Sequence, residues 1–120
     1  MILLDANYIL RFLLKDNLEM YEISKESILN NQCEILNEVL AEVVFVLLKV
    51  YAVEKIDIKN ILTQFLNFDN IIIHDKINII KALEIFESKN LDFVDCVLCA
   101  KSSKYQIKTF DKKLLKCIKK

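Results

Sequence analysis

Neither glycine nor proline occurs anywhere in this chain of 120 residues. Glycine enters left-handed backbone regions without steric cost, and proline pre-sets turn dihedrals, so the two usual means of reversing a chain are missing. A glycine-rich phosphate loop and a glycine-based dinucleotide fingerprint are both excluded. The turns must come from other residues that tolerate left-handed or turn geometry, and asparagine is the best substitute. Asn17, Asn30, Asn31, Asn67, Asn70 and Asn90 fall between periodic segments, where such residues belong.

The length suits one domain spanning residues 1–120, and a hydrophobic fraction of 54% supplies ample material for its core. Basic and acidic residues balance at 17 each, so no global field marks a nucleic-acid binder. Lysines do crowd into residues 101–120, which reads either as a solvated end or as an attractor of phosphates. The longest apolar stretch, Val39 to Val53, is broken by Glu42 and Lys49 and falls short of the roughly 20 residues of a membrane span. The first residues lack a positive n-region and meet Asp5 at once, unlike a signal peptide, so a cytoplasmic protein is expected. Cys33, Cys96, Cys99 and Cys117 are expected to be buried structural thiols. Cys96 and Cys99 have CxxC spacing but lie inside an apolar helix, and His74 is the only histidine, which speaks against zinc.

Periodicity alternates short apolar runs with longer helical ones. Strands are predicted at Ile2–Leu4, Cys33–Leu36, Asn70–His74 and Ile107–Phe110, the third with an isoleucine run suited to cover on both faces. Helices are predicted from Tyr8 to Leu14, Leu18 to Leu29, Val39 to Val50, Ile58 to Leu66, Ile79 to Phe86, from Asp92 onward, and from Lys112 to Ile118. Asn37 and Asp57 are placed to cap the helices that follow them. Strands alternating with helices imply an α/β fold: a central parallel sheet of four or five strands flanked by helices in three layers.

Open parallel sheets bind ligands beyond the carboxyl ends of their strands. Asp5 follows the first predicted strand and Asp111 the last. Glu42 lies one turn into the helix after the second strand, and Asp95 in the first turn of the helix before the final one. Each acid has a plainer role open to it. Asp5 and Asp111 suit turns, Asp92 with Asp95 has the spacing of a helix cap, and Glu42 could sit on the one wet face of its helix. Four carboxylates delivered to one cleft would repel unless a cation sat among them. An oxygen-only donor set favours magnesium or manganese over zinc.

These segments resemble a known family. Leu4-Asp5-Ala6-Asn7, Leu40-Ala41-Glu42-Val43, Leu91-Asp92-Phe93-Val94-Asp95 and Thr109-Phe110-Asp111 resemble, in order, the four motifs of PIN domains, and the closest likeness is to VapC-type toxins. The resemblance implies an Mg2+-dependent endoribonuclease, with Mn2+ a possible substitute. Asp5, Glu42, Asp95 and Asp111 would form its acidic centre, and Asp5 and Asp95 would ligate the metal directly. Asn7 and Thr109 would orient carboxylates or water. It also implies an RNA substrate, a small cognate antitoxin as partner, a homodimer and no membrane association. Arg11, the one arginine, is read either as a surface ion pair or as a contact to substrate or partner. Relatives often place a glycine before the last strand, where this chain has Tyr105-Gln106.

Other classes fit less well. A dehalogenase-type phosphotransferase wants Asp-x-Asp where this chain has Asp5 and Asn7, and a receiver domain wants a neighbouring acid pair and a lysine on a late strand, where Lys108 stands before Thr109 instead of after it. A PIN nuclease serving RNA processing and a non-catalytic PIN binding module stay open as alternatives.

Overall fold

The computed structural model describes residues 1–119. Three short strands form a parallel sheet in the order β1-β2-β3: β1 (Ile2–Leu3), β2 (Cys33–Ile35) and β3 (Ile71–Ile73). Ile2 pairs with Cys33 and Cys33 with Ile71, so the register runs level across the sheet. Helices α1 (Ala6–Leu14) and α2 (Leu18–Asn30) make the first crossover, α3 (Asn37–Lys49) and α4 (Lys55–Leu66) the second. After β3 the chain continues through α5 (Lys76–Ser88), α6 (Phe93–Lys101) and α7 (Lys112–Lys119). No helix among the described residues is long and apolar enough to cross a membrane.

The periodic positions expected to be apolar form one core. Ile9 and Leu10 of α1, Leu40, Val43, Val44 and Leu47 of α3, Ile58 and Leu62 of α4, and Ile79 and Leu83 of α5 are all buried. Phe65 and Phe86 are its largest fully buried side chains. Burying a side chain of this kind contributes about 1.5–3 kcal/mol, so α3 alone sets much of the interior.

The strand count departs from expectation. Ile107–Phe110 is not a strand, and the sheet has three strands among the described residues, with β1 at its edge. An alternating apolar pattern makes a strand only where a ladder exists to join. Here the Phe110 side chain is fully exposed, and the Asp111 amide turns to the Thr109 hydroxyl instead of to β1. Nor are both faces of the sheet closed. Leu3, Glu34 and Ile72 lie in one registered row, and Leu3 is 61% and Ile72 37% exposed. The isoleucine run of β3 therefore alternates, with Ile71 and Ile73 inward, instead of being covered on both sides.

The turns are made in an unexpected way. The left-handed positions among the described residues are Lys15, Ala52 and Asp75, none of them asparagine. Asparagines punctuate through their side chains instead. Asn17 accepts from the Met20 amide to cap α2, and the Asn70 amide group donates to the carbonyls of Ile28 and Asn31. Asn37 caps nothing: α3 begins at Asn37 itself after Leu36, and α4 starts at Lys55, two residues before Asp57.

The cysteines also differ from expectation. Cys33 and Cys96 are buried free thiols, but Cys99 and Cys117 are joined by a disulfide that ties α6 to α7. The two are remote in sequence pattern and meet only because α7 packs back on α6.

Candidate active site

Helix α6 begins where Asp92, in extended backbone, accepts the Asp95 amide on Oδ1 at 2.9 Å. That cap satisfies one of the four free N–H groups of a helix start. Phe93, Cys96, Cys99 and Ala100 turn into the core, which leaves Asp95 half-buried on the flank of the same helix. Helix α7 repeats the device. Asp111 Oδ1 accepts the Leu114 amide at 2.9 Å, while the Asp111 amide donates to Thr109 Oγ1 at 3.0 Å. Leu114 and Cys117 anchor α7 inward, and the disulfide fixes it against α6. Two helix starts are thus brought side by side, each with a carboxylate at its tip.

Between them lies a cleft of about 370 Å³ lined by Asp92, Asp95 and Asp111 together with Lys49, Lys55 and Lys113. Burial, followed by the charges of Asp92 and Asp111, holds the Asp95 carboxyl above the usual carboxylate range. Asp95 therefore senses two like charges with too little solvent to disperse them. Lys55 crosses the wall of the cleft. Its Nζ donates to the Lys89 carbonyl at 3.1 Å and lies 4.5 Å from the centre of the Phe86 ring. Behind Asp95, burial pushes the Cys96 thiol up to about 12, which makes it an inert wall and not a nucleophile.

The other expected site residues lie apart. Asp5 caps α1, accepting the Tyr8 amide at 2.8 Å, and lines a separate depression with Ile2, Leu4, Tyr8 and Ser27. Glu42 is exposed on α3, next to Ala41 and Phe45, which line an apolar groove that Asp92 also borders. Asn7 is exposed in the first turn of α1. Thr109 holds the backbone of Asp111, as described. Arg11 is the ion pair of its two readings: both carboxylate oxygens of Asp16 lie 2.8 Å from its Nη1, and the Tyr51 hydroxyl accepts from Nη2. Tyr51 and Asp16 together hold the Arg11 guanidinium above its already high range.

The structure thus gathers Asp95 and Asp111 of the four expected acids, adds Asp92, and leaves Asp5 and Glu42 outside the cleft. The family model of the PIN domain matches residues 2–119. The chain belongs to the PIN domain family. No curated protein and no solved structure matched it. PIN domains are generally nucleases and typically use divalent metals. A mixed α/β architecture with a three-strand parallel sheet and seven helices among the described residues is consistent with a PIN-like fold.

Whether this PIN domain suits a divalent ion depends on the donors it offers. Asp92, Asp95 and Asp111 are hard oxygen donors that line one cleft. Among the described residues, the ion pairs involve Arg11 with Asp16 and Lys101 with Asp75, not the cleft acids. No three His, Cys, Asp or Glu side chains among the described residues converge as a ready-made ligand set. Magnesium is commonly held by one or two carboxylates, with water and substrate phosphate completing its shell, so the donor chemistry fits. Sequence reasoning missed Lys49, Lys55 and Asn90 in this cleft. No local pattern distinguishes them from solvated residues, and only the crowding of lysines after residue 100 pointed toward Lys113.

Proposed function

We propose that this PIN domain is an Mg2+-dependent endoribonuclease, a single domain over residues 1–120 that acts as the toxin of a toxin–antitoxin pair in the cytoplasm. One observation carries the reading: Asp95 shares a cleft with two further carboxylates, Asp92 and Asp111, in a chain that belongs to the PIN domain family. Asp95 and Asp111 in the cleft, with Asp5 after β1 and Glu42 on α3, are the residues that would hold the ion. Asp5 and Asp95 are its direct ligands in this reading. Mn2+ would serve in place of Mg2+.

When bound, a divalent ion supplies a water of lowered pKa and a counter-charge for the phosphoryl oxygen. The protein's own groups do the rest. Asp95, set in the cleft with Asp92 and Asp111, would hold the ion and orient the attacking water. Asp111 spends one oxygen on the Leu114 amide and is steadied by Thr109, so its carboxylate is fixed before substrate arrives. Water adds to phosphorus as the bond to the 3′ oxygen breaks, which leaves a 5′-phosphate and a 3′-hydroxyl. The partners in this reading are RNA, a small antitoxin covering the cleft and a second copy of the chain.

The test uses Asp→Asn exchanges. Asparagine caps helices about as well as aspartate, so these variants lose the charge and keep the turn. Wild type should cleave RNA with magnesium, and Asp95→Asn, Asp111→Asn and Asp5→Asn should not, as sequencing of RNA 5′ ends would show. Full cleavage by Asp95→Asn sinks the assignment. The dispersed placement of Asp5 and Glu42 favours one second reading, a binding module without cleavage. Wild type that binds RNA and leaves it intact with Mg2+ or Mn2+ would establish it.

A further inference from the structure

The acid-lined cleft does not end at Lys113. A second depression of about 440 Å³ adjoins it, lined by Ser88, Lys89, Asn90, Leu91, Lys113, Lys116 and Cys117. Asn90, Leu91 and Lys113 line both, so the two form one groove between the α5–α6 turn and α7. Lys113 and Lys116 are three residues apart on α7 and share a face, because Leu114 and Cys117 are drawn into the core. Charge is segregated along the groove. Carboxylates line only the first part, and the second carries lysines without any acid. Among the described residues, the ion pairs use none of these lysines.

We infer that this groove is the track of a single-stranded RNA, whose phosphates are held by Lys113, Lys116 and the anchored Lys55 while the acids stand at one end. The inference rests on the nuclease reading for the class of ligand. A polyanion is drawn along the lysines and meets negative charge only where a metal ion would offset it. Clefts of a few hundred Å³ take a ligand of drug size, hence a nucleotide unit in each part, not a duplex. The second part offers no aromatic platform for base stacking, so recognition runs through the backbone and is tolerant of sequence. Lys55 is the fixed point. Its ammonium is held by the Lys89 carbonyl and the Phe86 ring, so a phosphate finds it already in place.

The experiment measures binding of a fluorescein-labelled 12-nucleotide oligouridine by anisotropy, in EDTA, across a series of KCl concentrations. Each phosphate contact to a single strand adds about 0.7 to the slope of log K against log salt. Lys113→Gln/Lys116→Gln should lower the slope by about 1.4, whereas Lys25→Gln/Lys81→Gln, the same charge change on α2 and α5, should leave it unaltered. Equal losses in both pairs, an unchanged slope in the groove pair, or no binding by wild type would overturn the track. Circular dichroism of both variants should match wild type, since all four lysines are exposed. The two readings fail separately. Cleavage that survives Asp95→Asn removes the nuclease and leaves the track standing. Cleavage lost in Asp95→Asn without a slope change in the groove pair removes only the track.

Discussion

Opening the bridge between Cys99 and Cys117 should be the most informative single perturbation of stability. The bridge closes a loop of 18 residues, and Leu114 and Cys117 are the buried residues that hold α7 to the rest. By loop-closure entropy such a link destabilises the unfolded chain by about 3 kcal/mol. A domain of this length unfolds with an entropy that converts about 3 kcal/mol into about 12 °C of Tm. The assay is thermal unfolding followed by circular dichroism, with and without a dithiol reductant, on wild type and on Cys99→Ala/Cys117→Ala. Oxidised wild type should melt about 12 °C above its reduced form, while the double variant should ignore the reductant. Thiol titration in denaturant should find two free thiols, Cys33 and Cys96, before reduction. Four thiols in the untreated protein, or a Tm indifferent to reductant, would refute the reasoning. Because a reducing cytoplasm opens such bonds, the reduced form is the one to test for activity in the proposed setting.

Three further outcomes follow from local geometry. Ala52 sits at φ 53°, where a β-carbon costs about 1–2 kcal/mol, so Ala52→Gly should stabilise by roughly 0.5–1 kcal/mol after the greater entropy of the unfolded glycine chain is counted, read as a rise in the urea midpoint. Asp95 has a raised folded pKa from burial and from Asp92 and Asp111, so it weakens the fold progressively as pH climbs from the ordinary carboxylate range through that raised value. Asp95→Asn should therefore be more stable than wild type at neutral pH, with the gain gone in acid below that range; a constant difference at all pH would contradict this. Asp75 behaves oppositely, held low by the Asn78 amide and then by Lys101 at 3.5 Å. Its contribution is complete above the ordinary carboxylate range and is lost as pH falls through the lowered value, so Asp75→Asn should cost no more than about 1 kcal/mol at pH 7 and nothing in acid, as paired denaturation curves would show.

The order of elements was legible in the chain because helical and strand periodicities differ. Apolar residues three and four apart placed all seven helices near their observed spans, and three of the four predicted strands formed. One capping acid was legible too. Asp92 and Asp95 had the spacing of a cap, and Asp92 does accept the Asp95 amide. Family membership was carried by motifs that are local in sequence, and it needs no knowledge of packing.

What the sequence could not decide was everything that depends on which surfaces meet. A strand pattern at Ile107–Phe110 does not say whether a ladder is there to receive it, since strand hydrogen bonds are made to another segment. Backbone strain is likewise hard to read locally: without glycine, the left-handed positions fell to Lys15, which ends α1 with its amide on the Arg11 carbonyl, and to Ala52 and Asp75. The sequence determined that this chain carries acids at the starts of its helices and lysines along its last one. Only the tertiary structure, by packing α7 against α6, decided which acids share a cleft and which lysines extend it, because charge interacts through space and not along the chain.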